Sequence, residues 1–340
     1  MRRPVPIVGA PLAGGPSTSA LAAAVSGAGG LGFLGAGYKT AGAVAADIAA
    51  TRDLTDEPFG VNVFAVTPTE APSAELEAFE RSLFGLGAEP GSPRSDDDDF
   101  AAKVEHLIAD PVAVVSFTFG CPDAAVEQRL LAYGSEVWIT VTDPDEAAAA
   151  AAAGADALVV QGAEAGGHRG SFSDESPGEY GLLALLQLVR AAVDLPLVAT
   201  GGIATGRAVA AVLVAGAAAA QIGTALMATP EAGTNEAHRR ALAQPGRTDV
   251  TRAFTGRSAR GIVNRFMREH ADAPHAYPGV HYVTAPIRAR ARAEGDAELL
   301  NLWAGEAHEL IRELPAAELV RALHEEALAA LAEVSRDLLR

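Results

Sequence analysis

Eight short apolar runs separated by helical stretches leave this chain few architectures to choose from. The runs are Pro6–Gly9, Leu31–Leu34, Phe59–Phe64, Val112–Phe117, Val137–Thr140, Ala157–Val160, Pro196–Ala199 and Ala219–Ile222. Each is nearly uninterrupted rather than alternating, as expected of parallel strands covered on both faces. The segments between them carry helix signals. Ser17 to Ala28 follows Pro16 and opens on Ser/Thr capping residues; Asp143-Pro-Asp-Glu146 opens an alanine run that ends at Gly154; Thr205 to Ala215 ends at Gly216. A capping aspartate, a first-turn proline and early acids suit a helix N-terminus, and glycine suits the left-handed position past a C-terminus. Eight β-then-α units predict an α/β fold, a (β/α)₈ TIM barrel. An open doubly wound sheet is the structural alternative, but the first strand is not followed by Gly-x-Gly-x-x-Gly.

Two stretches break the repeat. An insertion at about 67–110 contains Glu89-Pro-Gly-Ser-Pro-Arg-Ser95 and the acid run Asp96–Asp99, which reads as a solvated loop leading into a helix. The barrel is thus expected over 1–235. Residues 236–340 form a mainly helical region, read as a lid over the barrel mouth with its last helix returning to the wall. Helical patterns cover Glu236–Ala243, Ala297–Leu314 and Ala316–Leu339, and Ala273–Pro286 is loop-rich.

Composition excludes several function classes. A formal charge of −17 argues against a nucleic-acid partner, which needs a basic face. With 49% hydrophobic and 20% charged residues the chain can fill a core. Cys121 is the sole cysteine, so neither an intrachain disulfide nor a cysteine-based zinc site is available. The N-terminus lacks an apolar stretch of signal-peptide length, and Ala208–Ala228 is interrupted by Gly216, Gln221, Gly223 and Thr224. A soluble, cytoplasmic protein without membrane partners is expected, either monomer or homodimer.

Barrel active sites lie at the C-terminal ends of the strands. Those positions hold Ala10-Pro11-Leu12-Ala13-Gly14-Gly15, Asn62, Thr118-Phe-Gly-Cys121, Thr140, the run Gln161-Gly-Ala-Glu-Ala-Gly166-Gly-His168-Arg169-Gly170, Thr200-Gly201-Gly202 and Gln221-Ile-Gly223-Thr224. The last two offer glycine N–H groups leading into a helix, the usual barrel device for a phosphate. Asn62, Thr140, Gln161 and Gln221 bring neutral donors and acceptors suited to the polar edge of a heterocycle. Singly, each fits strand-end capping; together they fit a flat phosphorylated cofactor such as FMN. His168 stands at this rim as a proton acceptor for neutral pH. Arg169 is within reach of Glu164 or Asp174 as an ion-pair partner. A Cys121–His168 nucleophilic pair lacks a third orienting group and is disfavoured.

Several segments occur in one order: Ala10–Gly15 with Ala23–Gly32, Phe59–Phe64, Gln161–Gly170, Ala199-Thr-Gly-Gly-Ile203, Gln221-Ile-Gly-Thr224 and Asn301-Leu-Trp-Ala-Gly305. This set resembles the nitronate monooxygenase family, formerly the 2-nitropropane dioxygenases. The resemblance implies a TIM barrel that binds FMN without a metal and oxidises alkyl nitronates with O₂ to a carbonyl compound and nitrite. It implies FMN contacts from Pro11, Leu12, Ala13, Asn62, Gln161, Gly166, Gly201, Gly202, Gln221, Gly223 and Thr224, with His168 the catalytic histidine. His168 then either deprotonates a neutral nitroalkane or, protonated, stabilises the anion. Because the protein is strongly acidic, local donors must hold that anion; His168, Arg169 and glycine N–H groups are the candidates. A similar histidine loop occurs in FMN-dependent NAD(P)H reductases of the same fold, acting on enoyl thioesters or quinones. That is the alternative reaction, and a non-catalytic barrel holding a phosphorylated ligand is the alternative of another class. Which of Tyr133, Tyr180, Tyr277, Tyr282 and Trp303 lines a substrate pocket is left open by order alone.

Overall fold

The computed structural model describes residues 3–65, 68–69, 73–175, 179–338. All eight expected runs form strands: β1 (Ile7–Gly9), β2 (Gly32–Gly35), β3 (Phe59–Phe64), β4 (Val114–Thr118), β5 (Glu136–Val141), β6 (Ala157–Gln161), β8 (Leu197–Thr200) and β9 (Ala219–Ile222). They pair in parallel in the order β1-β9-β8-β6-β5-β4-β3-β2. The Val8–Leu31 bridge, with Leu31 N–H donating to Ile7 O at 3.0 Å, joins the two edges and closes the barrel. A two-residue strand, β7 (Gly167–His168), lies outside this sheet.

Alternation inside the barrel explains where the polar residues sit. Val8, Phe33, Val114, Trp138, Val159 and Val198 fill its lower interior as one apolar cluster. Two residues further along their strands stand Ser116, Thr140, Gln161 and Thr200, with Asn62 opposite Ser116 and Gln221 opposite Thr200. Since side chains repeat their direction every second residue, the inward layer changes from apolar to polar at the top.

The caps behave as their sequences require. Asp143 accepts from Glu146 N–H at 2.8 Å to start α6 (Pro144–Ala153), which Gly154 ends at φ +116°. Thr18 caps α1 (Ser19–Gly27), and Thr205 caps α8 (Gly206–Val214). The ring continues through α2 (Ala41–Arg52), α4 (Phe100–Ala109), α5 (Ala124–Ala132) and α7 (Leu182–Ala192), with α3 (Ser73–Ser82) inside the insertion. The eighth strand, however, leads into a five-residue 3₁₀ helix, Thr224–Ala228, rather than an α-helix. The place of the eighth outer helix is taken by α12 (Ala316–Leu338), which packs against α8 and α1. Leu319, Val320 and Leu323 are buried there in the main core. Gly206 lets the two helices approach: a Cβ at that position would collide with Glu326 Cβ. The expected end of this helix at Leu339 and the expected start of the insertion at Thr67 lie outside the described residues.

The segment between Thr224 and α12 holds a second core and several departures from expectation. It contains α9 (Glu236–Leu242), the hairpin β10 (Thr248–Thr251) and β11 (Ala259–Ile262), α10 (Arg265–Glu269) and α11 (Gly279–Glu294). Phe79 of α3 and Leu83 just after it join Phe254, Phe266, Val280 and Ile287 in this second core. The expected helix over Ala297–Leu314 is instead two 3₁₀ turns, Ala297–Leu299 and His308–Leu310. Between them the chain is pinned extended, with Ile262 N–H donating to Leu302 O at 2.8 Å and Asn264 Nδ2 to Leu300 O at 2.7 Å. Conversely, most of the loop-rich stretch Ala273–Pro286 belongs to α11, which carries Pro286 inside it. Proline removes the donor that would meet Tyr282 O, and the insertion packs against that turn, with Gly91 N–H donating to the next carbonyl, Val283 O, at 2.9 Å.

The acid run leads into α4 as expected, but it is solvated only in part: Asp97 and Asp99 are exposed, while Asp96 and Asp98 are half-buried. Asp98 accepts from Tyr38 N–H at 2.8 Å and lies 2.7 Å from the fully buried Lys103 Nζ, while Asp99 accepts from Ala41 N–H. Asp96 accepts from the Tyr282 hydroxyl. These acids fasten the insertion to the ends of β2 and α11.

Candidate active site

A cavity of about 740 Å³ opens at the C-terminal ends of the strands. Pro11, Leu12, Ala13, Asn62, Gln161, Gly166, His168, Gly201, Gln221, Gly223 and Thr224 all line it, as do Thr118, Thr140 and Thr200. Gly202 stands just behind the wall; with Gly201 it makes a turn at φ +123° and +65° that only glycine adopts without strain. Among the described residues, no protein acceptor meets the N–H groups of Gly201, Gly202, Gly223 or Thr224, and no protein group meets the Gln221 amide. Asn62 spends its Nδ2 on Ser116 and Thr118, leaving its Oδ1 as an acceptor. Gln161 is used differently. Its Nε2 donates to His168 O at 3.1 Å and its Oε1 accepts from Gly170 N–H at 2.8 Å, so it braces the histidine loop.

That loop is stapled from above. β7 pairs antiparallel with β11, His168 opposite Ala259, and Arg169 N–H donates to Ser258 O at 2.8 Å. The strand turns the His168 ring into the cavity, 5.6 Å from Trp303 and 5.9 Å from Tyr277 between ring centres. His168 Nε2 lies 2.9 Å from Thr255 Oγ1, whose own hydroxyl donates to Arg257 O at 3.2 Å. With the threonine proton so committed, Nε2 is the protonated nitrogen and Nδ1 the acceptor. Burial, then the nearby Arg257 guanidinium, pushes the imidazole down to about 3, so it is neutral at ordinary pH.

Arg169, expected as a donor to the anion, does not line the cavity: it is buried beneath the loop, donating to Gln161 O at 2.9 Å and Gly162 O at 2.7 Å. Asp174 pairs instead with Arg252, at 2.9 Å. Cys121 does not line the cavity, and burial raises its thiol to about 11, which leaves it protonated.

Residues following β2 and β4, together with residues of the second-core segment, roof the cavity. Tyr38 follows β2 at φ +66° and stacks on His281 at 4.2 Å; its hydroxyl accepts from Tyr277 at 3.2 Å. Phe119, at φ +81°, packs between Phe64 and Tyr277, with the Arg257 guanidinium 4.1 Å over its ring. Of the aromatic residues left open, Trp303 lines the cavity and Tyr277 is buried beside it, whereas Tyr133 and Tyr180 are exposed. The end of β2 was a legible address for Tyr38. His281 and Arg288 had no such signal, since they come from a helix carrying a proline; Trp303 was signalled only as one of several aromatic residues, in an irregular segment. Among the described residues, no cluster of side chains suits a metal ion, and no helix is long and apolar enough to cross a membrane.

Comparison with known proteins agrees with this architecture. The chain is 43% identical over 339 residues to a nitronate monooxygenase of Pseudomonas aeruginosa, covering 94% of this chain and 95% of that one. Its fold is similar to a nitroalkane oxidase structure from Streptomyces ansochromogenes, with TM-score 0.94, 51% identity and 98% of each chain covered. FabK of Thermotoga maritima superposes with TM-score 0.78 at 28% identity, over 98% of this chain and 96% of that one. The family model for nitronate monooxygenase matches residues 2–326. The chain is an oxidoreductase that belongs to the nitronate monooxygenase family.

Proposed function

We propose that the cavity binds FMN and that the enzyme oxidises alkyl nitronates with O₂, yielding a carbonyl compound and nitrite. The observation that carries this reading is one cavity joining unpaired strand-end donors to a neutral histidine under an aromatic roof. The donor set fits the cofactor. The free N–H groups of Gly201, Gly202, Gly223 and Thr224 suit a phosphate. Asn62 Oδ1 and the Gln221 amide suit the polar edge of the ring, and Pro11–Ala13, Gln161 and Gly166 supply the surrounding wall. Bound there, FMN would supply the redox chemistry of the reaction.

The remaining work falls to the chain. Trp303, Tyr277, Tyr38 and Phe119 exclude water from the space beside His168. His168 Nδ1 can take a proton from the α-carbon of a neutral nitroalkane, with Thr255 holding the opposite nitrogen. A base whose pKa lies near 3 is weak, however, because an imidazolium there is buried and faces Arg257 and Arg288. That favours the preformed nitronate as substrate and leaves stabilisation of its charge to other groups. His168→Ala is expected to bind FMN and keep nitronate oxidation within about tenfold of wild type, but to lose the neutral nitroalkane almost entirely. Unchanged nitroalkane turnover removes the histidine from the mechanism.

The deciding assay is nitrite release from an alkyl nitronate in air, by the purified flavin-loaded protein, without nicotinamide. Steady nitrite production supports the reading. No nitrite, with flavin bleached by NADH, moves the assignment to an NAD(P)H reductase.

A further inference from the structure

Arg288 sits in the wall of the cavity on α11, with only 7% of its surface accessible. Its Nε donates to Thr284 Oγ1 at 3.0 Å, and one terminal nitrogen, Nη2, donates to His281 O at 2.8 Å and meets His281 Nδ1 at 3.2 Å. The other, Nη1, meets no protein acceptor among the described residues, and no carboxylate lies within 4.0 Å of the guanidinium. A buried cation without a counter-ion is costly, and natural proteins pair it or place it against an anionic ligand.

The groups around it sharpen the sign. His168 and His281 are held neutral by burial, at about 3 and about 2, and burial keeps the Tyr38 and Tyr277 hydroxyls protonated. The nearby acids are spent elsewhere: Asp98 on Lys103, Asp174 on Arg252. Arg257, the other cation close by, lies behind the Phe119 ring and donates to Ser171 O. The chamber between His168 and α11 is therefore a positive, largely desolvated spot in a chain of net charge −17.

We propose that Arg288 is the anion-recognition point of this cavity, its free Nη1 taking the nitro-group oxygens of the nitronate. Building on the functional reading above, this assigns the substrate's charge to α11 rather than to His168 or Arg169. Arginine suits the task because it stays charged and, with Nε and Nη2 held by Thr284 and His281, still has both N–H groups of Nη1 to offer the nitro oxygens. His281 and Thr284, held by the same guanidinium, fix the fork in place.

The test uses the flavin-loaded enzyme and nitrate, a planar anion shaped like the nitro end of a nitronate. Nitrate affinity is read from the flavin difference spectrum without turnover, and nitronate KM and kcat are measured in parallel. Arg288→Met is expected to weaken nitrate binding and raise nitronate KM about 10- to 100-fold, with kcat changed less than about threefold. The neutral parent nitroalkane, as a competing ligand, is expected to lose less than about threefold. Arg288→Lys should recover most of the nitrate affinity, and Arg288→Gln serves if the methionine variant does not fold. The proposal is overturned if wild type does not bind nitrate, if Arg288→Met binds it as wild type does, or if neutral and anionic ligands weaken alike. Should nitrate behave as expected while wild type oxidises no nitronate, the anion site stands and the nitronate reading falls.

Discussion

At the residue scale, the site turns on a histidine kept from its usual titration. An exposed imidazole gains its proton around pH 6.5; His168 is pushed down to about 3. Imidazole nitrogen NMR of the ligand-free protein should therefore show the neutral Nε2–H form from pH 8 to below 5, and a midpoint near 6.5 would contradict the burial argument. The linkage has a definite sign. The folded pKa is below the unfolded one, so unfolding takes up a proton as pH falls. Stability from this residue is full above pH 6.5 and is lost towards about 3, by up to about 1.4 kcal/mol per pH unit relative to a His168→Leu variant. Thr255→Val removes the acceptor that fixes the tautomer. Turnover of neutral nitroalkane should drop about tenfold, while nitronate turnover changes less than about threefold. Much of this layer was legible. Asn62, Thr140, Gln161 and Gln221 announce themselves as polar endings of apolar strands, because the period of two sets which residues face inward. What each amide bonds to is not written in order: Gln161 serves its own loop, and Arg169 lies beneath the loop it follows.

At the element scale, the strands and the caps of α1, α6 and α8 were legible because local chemistry and tertiary role agree there. The elements that escaped are those whose shape is imposed by neighbours. β7 has two residues and exists only through β11; Asn301–Gly305 is extended because β11 and Thr224 hold it, with Gly305 N–H donating to Thr224 Oγ1 at 3.0 Å. Pro286 reads as a helix breaker, yet α11 runs on through it, with Gly91 N–H bonded to Val283 O in the same turn. Two substitutions probe such neighbour effects by urea unfolding. Gly206→Ala forces α12 away from α8 and should destabilise by about 1–3 kcal/mol. Asp98→Ala strands the buried Lys103 ammonium and should destabilise by about 3–5 kcal/mol; a loss below 1 kcal/mol would mean that the pair is solvated.

At the scale of the whole molecule, charge and site oppose each other. A net −17 repels an anionic nitronate at long range, while the chamber beside Arg288 attracts it at short range. Salt shortens the reach of the first from about 30 Å at 0.01 M to about 8 Å at 0.15 M and screens buried charges much less. Over that interval kcat/KM for a nitronate should rise about twofold or more, and for a neutral nitroalkane should stay level. A fall with salt would instead give the dominant role to an attractive surface.

The borrowed outer helix carries a consequence for how such a chain comes into being. All eight barrel strands are encoded by residue 222, yet the ring position between α8 and α1 is filled by residues 316–338. A nascent chain thus carries a full set of strands with one apolar flank open for the time taken to translate roughly a hundred further residues. At about 5–20 residues per second that is about 5 to 20 seconds. During that interval the uncovered faces of α1 and α8 are a natural landing place for a chaperone, and a product truncated before α12 would keep them open permanently.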